Sequence, residues 1–314
     1  MNAPAPAAHA RPPLRANNYG FFGPDSPSWK VWAAPTAIVG FQRSVVLEHF
    51  DPFLAAAVAN SQGIYRKPAV RLDHTLAYFL TVAVGDGERA LLESEHLMGI
   101  HAAMTGIEPI TGKRFAANNP ASQLWIHVTG WHSVLKCYEM FGPGPLSADE
   151  EAQYWRECVI AADLQTCKTS DVPTNREEVR EYFAQMRPQL CTSEAAMRGM
   201  HYLLRTDYPT AGLKFWLASR LMAPVTIATL PSWMRKLGGF DQPGVIDRVA
   251  IVAAKRAVRA TLNPVIEQRV IGAVAPMTSA TLREHRLSPI PTDPRVVTPA
   301  EIRAARTTAA STAS

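Results

Sequence analysis

The stretch that decides the fold is residues 119–144, NPASQLWIHVTGWHSVLKCYEMFGPG. Its first residue, Asn119, can cap a helix, and Pro120 occupies the first helical position, where a missing N–H costs nothing. A helical run then continues through Met140, until Gly142-Pro143 stops it. The same punctuation recurs on both sides. Residues 68–84 begin at a proline and end before Gly85, and Asp86 can cap a helix to about Met104 that Gly106 would end. Ser147-Ala-Asp-Glu150, Thr174-Asn-Arg-Glu177 and Thr298-Pro-Ala-Glu301 each read as a capping box, in which hydroxyl and carboxylate satisfy backbone N–H groups reciprocally. No alternating run is framed by Asn-Gly or Asp-Gly, so strands are not expected. The expectation is an all-α protein: one helical domain over residues 28–285, with a disordered tail at 1–27 and a loose one at 286–314. Both tails are rich in proline and alanine and lack apolar periodicity.

Composition narrows the function classes. The chain has 314 residues, of which 47% are hydrophobic and only 19% charged, so a sizeable core or an apolar cavity must absorb the excess. A net charge of +5 over this length is too dilute for a dedicated nucleic-acid binder. The four cysteines, at 137, 158, 167 and 191, form no C-x-x-C pair, and a chain of this size needs no disulfide scaffold. No apolar leader and no uninterrupted membrane-length run is visible, which leads to the expectation of a reduced, cytoplasmic setting. Two stretches leave peripheral membrane contact open. Residues 211–231 are apolar but broken by Lys214, Arg220 and Pro224, and read first as a core helix. Residues 245–262 put Arg248, Lys255 and Arg259 on one helical face, which reads first as a solvated face.

Chemistry-bearing residues are sparse. Five of the nine histidines lie between 74 and 132. The pairs His96/His101 and His127/His132 are five apart, about 140° around a helix, and cannot chelate one metal as an i, i+4 pair does. No H-E-x-x-H, G-x-S-x-G, phosphate-binding or dinucleotide-binding glycine motif is present. A haem asks less: one imidazole facing an apolar cavity, with one ring nitrogen free for iron and the other held by a partner. His101 stands among Gly99, Ile100, Ala102, Ala103 and Met104, which suits that role. The string alone is better served by a buried, hydrogen-bonded histidine with no cofactor than by a ligand.

The order of motifs says more than any one of them. Trp29 and Gly40-Phe-Gln-Arg43 precede Glu48-His-Phe-Asp-Pro52, Arg71-Leu-Asp-His-Thr75 and Val84-Gly85. Then follow His101-Ala-Ala-Met-Thr-Gly106, Gly112-Lys-Arg-Phe-Ala116, Asn118-Asn-Pro120, Trp125-Ile-His127, Tyr138-Glu-Met-Phe-Gly142 and Leu230-Pro-Ser-Trp-Met-Arg235. Over roughly residues 28–240 this series resembles the family of rubber oxygenases (latex clearing proteins) and MpaB oxygenases, nearer to the MpaB-like branch. The resemblance implies a partly globin-like helical core, b-type haem, and dioxygen-dependent oxidation of a hydrophobic, isoprenoid-like small molecule, with C=C cleavage in characterised members. It implies His101 as the proximal iron ligand, Met104 replacing a valine of the family's motif. It also implies Arg71 and Thr75 near the haem, as catalytic residues, and His127 as a cavity-lining, cofactor-binding position. In the rubber-oxygenase form arginines flank the proximal histidine, where Met98 and Thr105 stand here, so Arg71 and Arg43 are the candidates for pairing haem propionates. The alternative is a helical protein that binds haem or a lipid-like ligand without turnover.

Overall fold

The computed structural model describes residues 13–312; residues 1–12 of the expected N-terminal tail lie outside the described residues. The first helices are α1 (Pro27–Trp32), α2 (Ala37–Glu48), α3 (Pro52–Ser61), α4 (Gly63–Arg66), α5 (Pro68–Val84) and α6 (Gly87–Ala102). A hairpin of β1 (Thr105–Ile107) and β2 (Arg114–Ala116) leads to α7 (Pro120–Phe141), α8 (Ala148–Ala162), α9 (Arg176–Met186), α10 (Glu194–Leu204) and α11 (Tyr208–Thr229). The chain ends with α12 (Ser232–Leu237), α13 (Gly244–Thr261), α14 (Pro264–Gly272), α15 (Pro276–Leu287) and α16 (Pro299–Thr312). The protein is all-α.

The caps act as their chemistry predicts. Asn119 accepts from the backbone N–H groups of Ala121 and Ser122, Asp86 from that of Arg89, and the Ser147/Glu150 box is complete. At 174–177 the cap sits one residue later than expected. Asn175 accepts from Glu177 and Glu178 N–H, while Thr174 is held by Glu178. The small antiparallel hairpin is the one departure from a purely helical reading. Its turn is closed by the Glu108 carboxylate, which accepts from Ile110 N–H, Thr111 N–H and the Thr111 hydroxyl, with Gly112 at φ 67°. A side-chain-closed turn carries no Asn-Gly signal.

Helix α7 is the axis of the core, with Trp125, Val128, Trp131 and Val134 all buried. Helix α2 lies along it at close range: a Cβ built on Gly40 would sit 2.6 Å from the Val134 Cα. Helix α5 lies between α6 and α15, and α11 reaches from α2 and α5 to α13.

The described parts of the two tails pack against the helices. Leu14, Phe21 and Phe22 are core residues, and Arg15 donates to the Val84 carbonyl at 2.8 Å and the His285 carbonyl at 2.7 Å. The C-terminal segment pairs with this strap through Tyr19 N–H to Arg295 O and Val297 N–H to Gly20 O. Arg303 then pairs with Asp163, and Arg306 with Glu88 and Glu95. Isolated apolar residues in a proline-rich string have no periodicity to reveal them, so no local signal marks these contacts. Residues 211–231 bury Ser219, Ala223, Val225 and Ile227, yet Leu213, Leu217 and Leu221 stay exposed. Among the described residues no helix is long and apolar enough to cross a membrane.

Candidate functional site

Arg71, in the first turns of α5, is the cation around which the sequence-predicted residues gather. Its Nη1 donates to the Ser61 hydroxyl at 3.1 Å, and the absence of a side chain at Gly63 makes room, since a Cβ there would lie 2.8 Å from Nη1. Burial lowers its pKa and the charge of Glu48 opposes that shift. The same guanidinium acts on His49 beside Glu48 and on His101 at the end of α6. The C-terminal end of α2, the start of α5, the end of α6 and the first half of α7 therefore share one electrostatic neighbourhood.

Glu48 is the anionic counterpart. Its Oε1 accepts from the Ser44 hydroxyl at 2.5 Å; the Thr129 hydroxyl of α7 stands 3.5 Å away and lies closer to the Trp125 carbonyl, at 2.7 Å. Burial pushes its pKa up to about 7, against the opposing pull of those two hydroxyls and Arg71. A carboxyl so placed exchanges a proton near neutrality, which an ordinary glutamate does not. Thr75 is one helical turn beyond Arg71, and its hydroxyl donates back to the Arg71 carbonyl at 2.8 Å. Its outward side borders a cavity of about 250 Å³ between α5 and α6, to which Tyr78, Glu93, His96 and Ile100 also contribute.

His101 is half-buried, but not by the residues that flank it in sequence. Gly99, Ala102 and Ala103 are exposed and Ile100 is 50% exposed. Instead Gln123 at the start of α7 approaches the ring, with Nε2 3.4 Å from the imidazole Nδ1 while the same nitrogen donates to the Ala117 carbonyl at 2.6 Å. Burial first, and Arg71 second, lower the His101 pKa, so the ring is neutral at pH 7 and offers a lone pair.

His127 and Arg43 stand apart from this group. His127 is deep in the core, its Nε2 2.7 Å from the Cys158 carbonyl, with burial lowering its pKa to about 4. Its Nδ1 has no partner and borders a small cavity closed by Trp32, Phe79 and Trp131, with room for about one water. Arg43 is buried between α2, α7 and α11. It donates to Ser133 Oγ at 2.6 Å and to the Thr229 carbonyl at 3.3 Å, and burial brings its pKa down to about 10. With Nε and Nη1 committed to those partners, Arg43 joins α2, α7 and α11, and Arg71 is the guanidinium whose charge acts on His101. Glu48 and Gln123 are the candidate positions that sequence reasoning did not assign. Glu48 was visible as the acid of the Glu-His-Phe-Asp-Pro element, whereas nothing local marks Gln123.

A haem ligand requires a neutral imidazole with one free nitrogen, and His101 meets that requirement; its Nε2 makes no hydrogen bond among the described residues. Arg71 supplies a cation of the kind that pairs with a propionate. The second ring nitrogen is less well served. It faces an amide nitrogen rather than the carbonyl or carboxylate that holds most metal-bound histidines. Turning the Gln123 amide would present Oε1 there, at the expense of its bond to Ala117. His101 and Arg71 fit the donor set of the group, with a weak outer support. The apolar cavity expected at His101 is not among the two cavities above or the groove between α11 and α13, none of which His101 lines. Among the described residues no three His, Cys, Asp or Glu side chains gather as a ligand set, and a haem needs only one.

No curated protein and no solved structure matches the chain. Comparison with known families matches residues 29–261 to "ER-bound oxygenase mpaB/B'/Rubber oxygenase, catalytic domain", a span from α1 to the end of α13 that includes Glu48, Arg71, Thr75, His101 and His127. With about three quarters of its length inside that match, the chain belongs to the mpaB/rubber oxygenase catalytic-domain family.

Proposed function

We propose that this oxygenase-family protein is a haem-b enzyme that uses dioxygen to oxidise a hydrophobic, isoprenoid-like small molecule. The observation that carries the reading is the meeting of a neutral His101, the Arg71 cation and a proton-exchanging Glu48 inside a matched oxygenase domain. His101 would hold the iron through Nε2, and Arg71 would pair an anionic edge of the group. When bound, haem supplies the iron that activates dioxygen, chemistry that belongs to the cofactor. The chain's own contributions are electrostatic and protonic. Burial first, and Arg71 second by making another positive charge costly there, keep His101 in its neutral form. Glu48 Oε1 is occupied by the Ser44 hydroxyl, which leaves Oε2 as the atom that holds or releases a proton. Thr75 presents a hydroxyl whose own proton is committed to Arg71 O, so toward the cavity it is an acceptor.

The test is the absorption spectrum of protein purified from haem-supplied cells. A Soret band, lost in His101→Ala while helical circular dichroism is kept, is the expected result. No band, together with hemin that fails to titrate to one site, would sink the reading. A non-catalytic haem or lipid-like-ligand binder is the second reading, favoured by the missing acceptor at His101 Nδ1. Oxygen uptake with candidate isoprenoids separates the two, because a binder consumes none.

A further inference from the structure

Thirteen of the twenty-one exposed large hydrophobic side chains among the described residues lie between positions 208 and 270, a fifth of the chain. They are not scattered. Leu213, Leu217 and Leu221 recur every fourth residue on α11, and Val245, Val249 and Val252 form the outward stripe of α13, which packs beside α11. Val265 and Val270 extend the surface onto α14, which packs against α13. Between α11 and α13 runs an apolar groove of about 320 Å³, walled by Leu221, Pro224, Ile246 and Val249. A monomer rarely leaves so large an apolar surface to water without a use for it.

Charge identifies the occupant. Residues 208–270 hold nine Lys or Arg and three acids. All three acids are already committed: Asp241 and Asp247 to Arg235, and Glu267 to Arg286. The outward stripe of α13 continues from Val252 directly into Arg256 and Arg259, with Arg248 and Lys255 on its flank, all exposed and none in an ion pair among the described residues. Arg220 stands at the groove, stacked on Trp216, and its Nη1 has no hydrogen-bond partner. An apolar band edged by unpaired cations is the pattern of a helix face that lies in the headgroup region of a bilayer. A second copy of the chain would bring these cations together across the interface, and a nucleic acid would leave the apolar band unsatisfied.

We propose that the face made by α11, α13 and α14 docks onto the surface of an anionic phospholipid bilayer, with the Leu/Val stripes entering the headgroup–acyl boundary and Arg248, Lys255, Arg256 and Arg259 on the lipid phosphates. Among the described residues no helix is long and apolar enough to cross the membrane; this face lies on it. The proposal concerns binding alone and stands or falls separately from the haem chemistry.

The test is flotation of the full-length protein with vesicles of phosphatidylcholine alone or with about 30 mol% phosphatidylglycerol, which gives the negative surface that attracts polybasic segments. Binding to the anionic vesicles should exceed that to the neutral ones by about tenfold or more and weaken as salt shortens the Debye length. The double variant Leu221→Glu/Val249→Glu alters only exposed positions, so it should keep its circular dichroism and lose flotation. Arg256→Gln/Arg259→Gln should reduce binding several-fold, and only to the anionic vesicles. The proposal is overturned by absence of flotation with anionic vesicles or by flotation unaffected in the Leu221/Val249 variant. It is overturned equally by a stable dimer in size-exclusion chromatography that this variant dissociates while vesicle binding is missing, since the face would then belong to a second copy.

Discussion

Burial moves Glu48 and His127 in opposite directions, and each direction has a consequence for stability. The native Glu48 carboxyl sits at about 7, above its ordinary value, so folding favours its protonated form. Its contribution is complete below the ordinary glutamate range and is lost as pH rises through 7. We expect Glu48→Gln, which cannot ionise, to gain on the parent by roughly 2 kcal/mol between pH 5 and pH 8 in urea melts, the scale set by such a shift. A parent–variant gap that is the same at both pH values would contradict the buried-carboxyl account. His127 and His49 are held neutral by burial, each with a pKa of about 4. Their contribution is present above the ordinary histidine value of 6.5 and disappears as pH falls through 4. Near-ultraviolet circular dichroism should therefore show tertiary structure failing as acid reaches pH 4 rather than at pH 6. At this scale the sequence was informative about identity and poor about neighbourhood. The Arg-x-x-x-Thr and His101 elements were legible as motifs, but Gln123 reaches His101 only because α7 begins beside the end of α6, a long-range fact with no local trace.

Among the helices, the capping residues made most boundaries readable, because a cap is a local hydrogen bond between near neighbours in sequence. The one-residue slip at Asn175 arose where Thr and Asn stand side by side and both can cap. Helix-to-helix distance is a different matter, and two glycines show it. Gly40 lets α2 approach α7 so closely that an added Cβ would meet Val134 Cα at 2.6 Å and Ser133 O at 3.0 Å, both backbone atoms that cannot step aside. Gly40→Ala should push the helices apart and cost about 1–3 kcal/mol, the usual range for overpacking. It would also strain the Glu48–Thr129 and Arg43–Ser133 contacts that join the same two helices. Gly99, in α6, has nothing within 4 Å of where its Cβ would be. Gly99→Ala should therefore stabilise by about 0.5–1 kcal/mol through helix propensity alone. Chemical denaturation of the pair checks both signs, and equal effects would mean that α2 and α7 are not in the close contact described.

For the whole molecule, the termini decide whether the domain ends where its periodic helices end. The C-terminal segment gives Val297, only 2% exposed, to a pocket against Gly87, and its backbone pairs with the N-terminal strap at Tyr19 and Gly20. Gly20 itself, at φ 75°, allows that strap to meet the Gly85 carbonyl, from which an added Cβ would be 2.0 Å away. The strap in turn buries Leu14, Phe21 and Phe22 against α5 and its neighbours, so the two ends clamp the turn between α5 and α6 from outside. That turn fixes how α5, bearing Arg71 and Thr75, lies against α6, bearing His101. Deleting residues 288–314 removes the Val297 plug, the backbone pairings with the strap (those at Tyr19 and Gly20 and those of Thr292 and Asp293 N–H to Ala16 and Asn17 O) and the Arg303 and Arg306 ion pairs with Asp163, Glu88 and Glu95. Exposed ion pairs contribute little, so the loss comes mainly from the plug and from the unpaired backbone it leaves, on the order of 2–4 kcal/mol. The truncated protein should melt several degrees below the full chain, and amide exchange should rise first across residues 14–22 and at the start of α6. A truncation with unchanged melting temperature and exchange would mean that the segment rests on the surface without clamping it, and that the spacing of Arg71 and His101 is set by α5 and α6 alone.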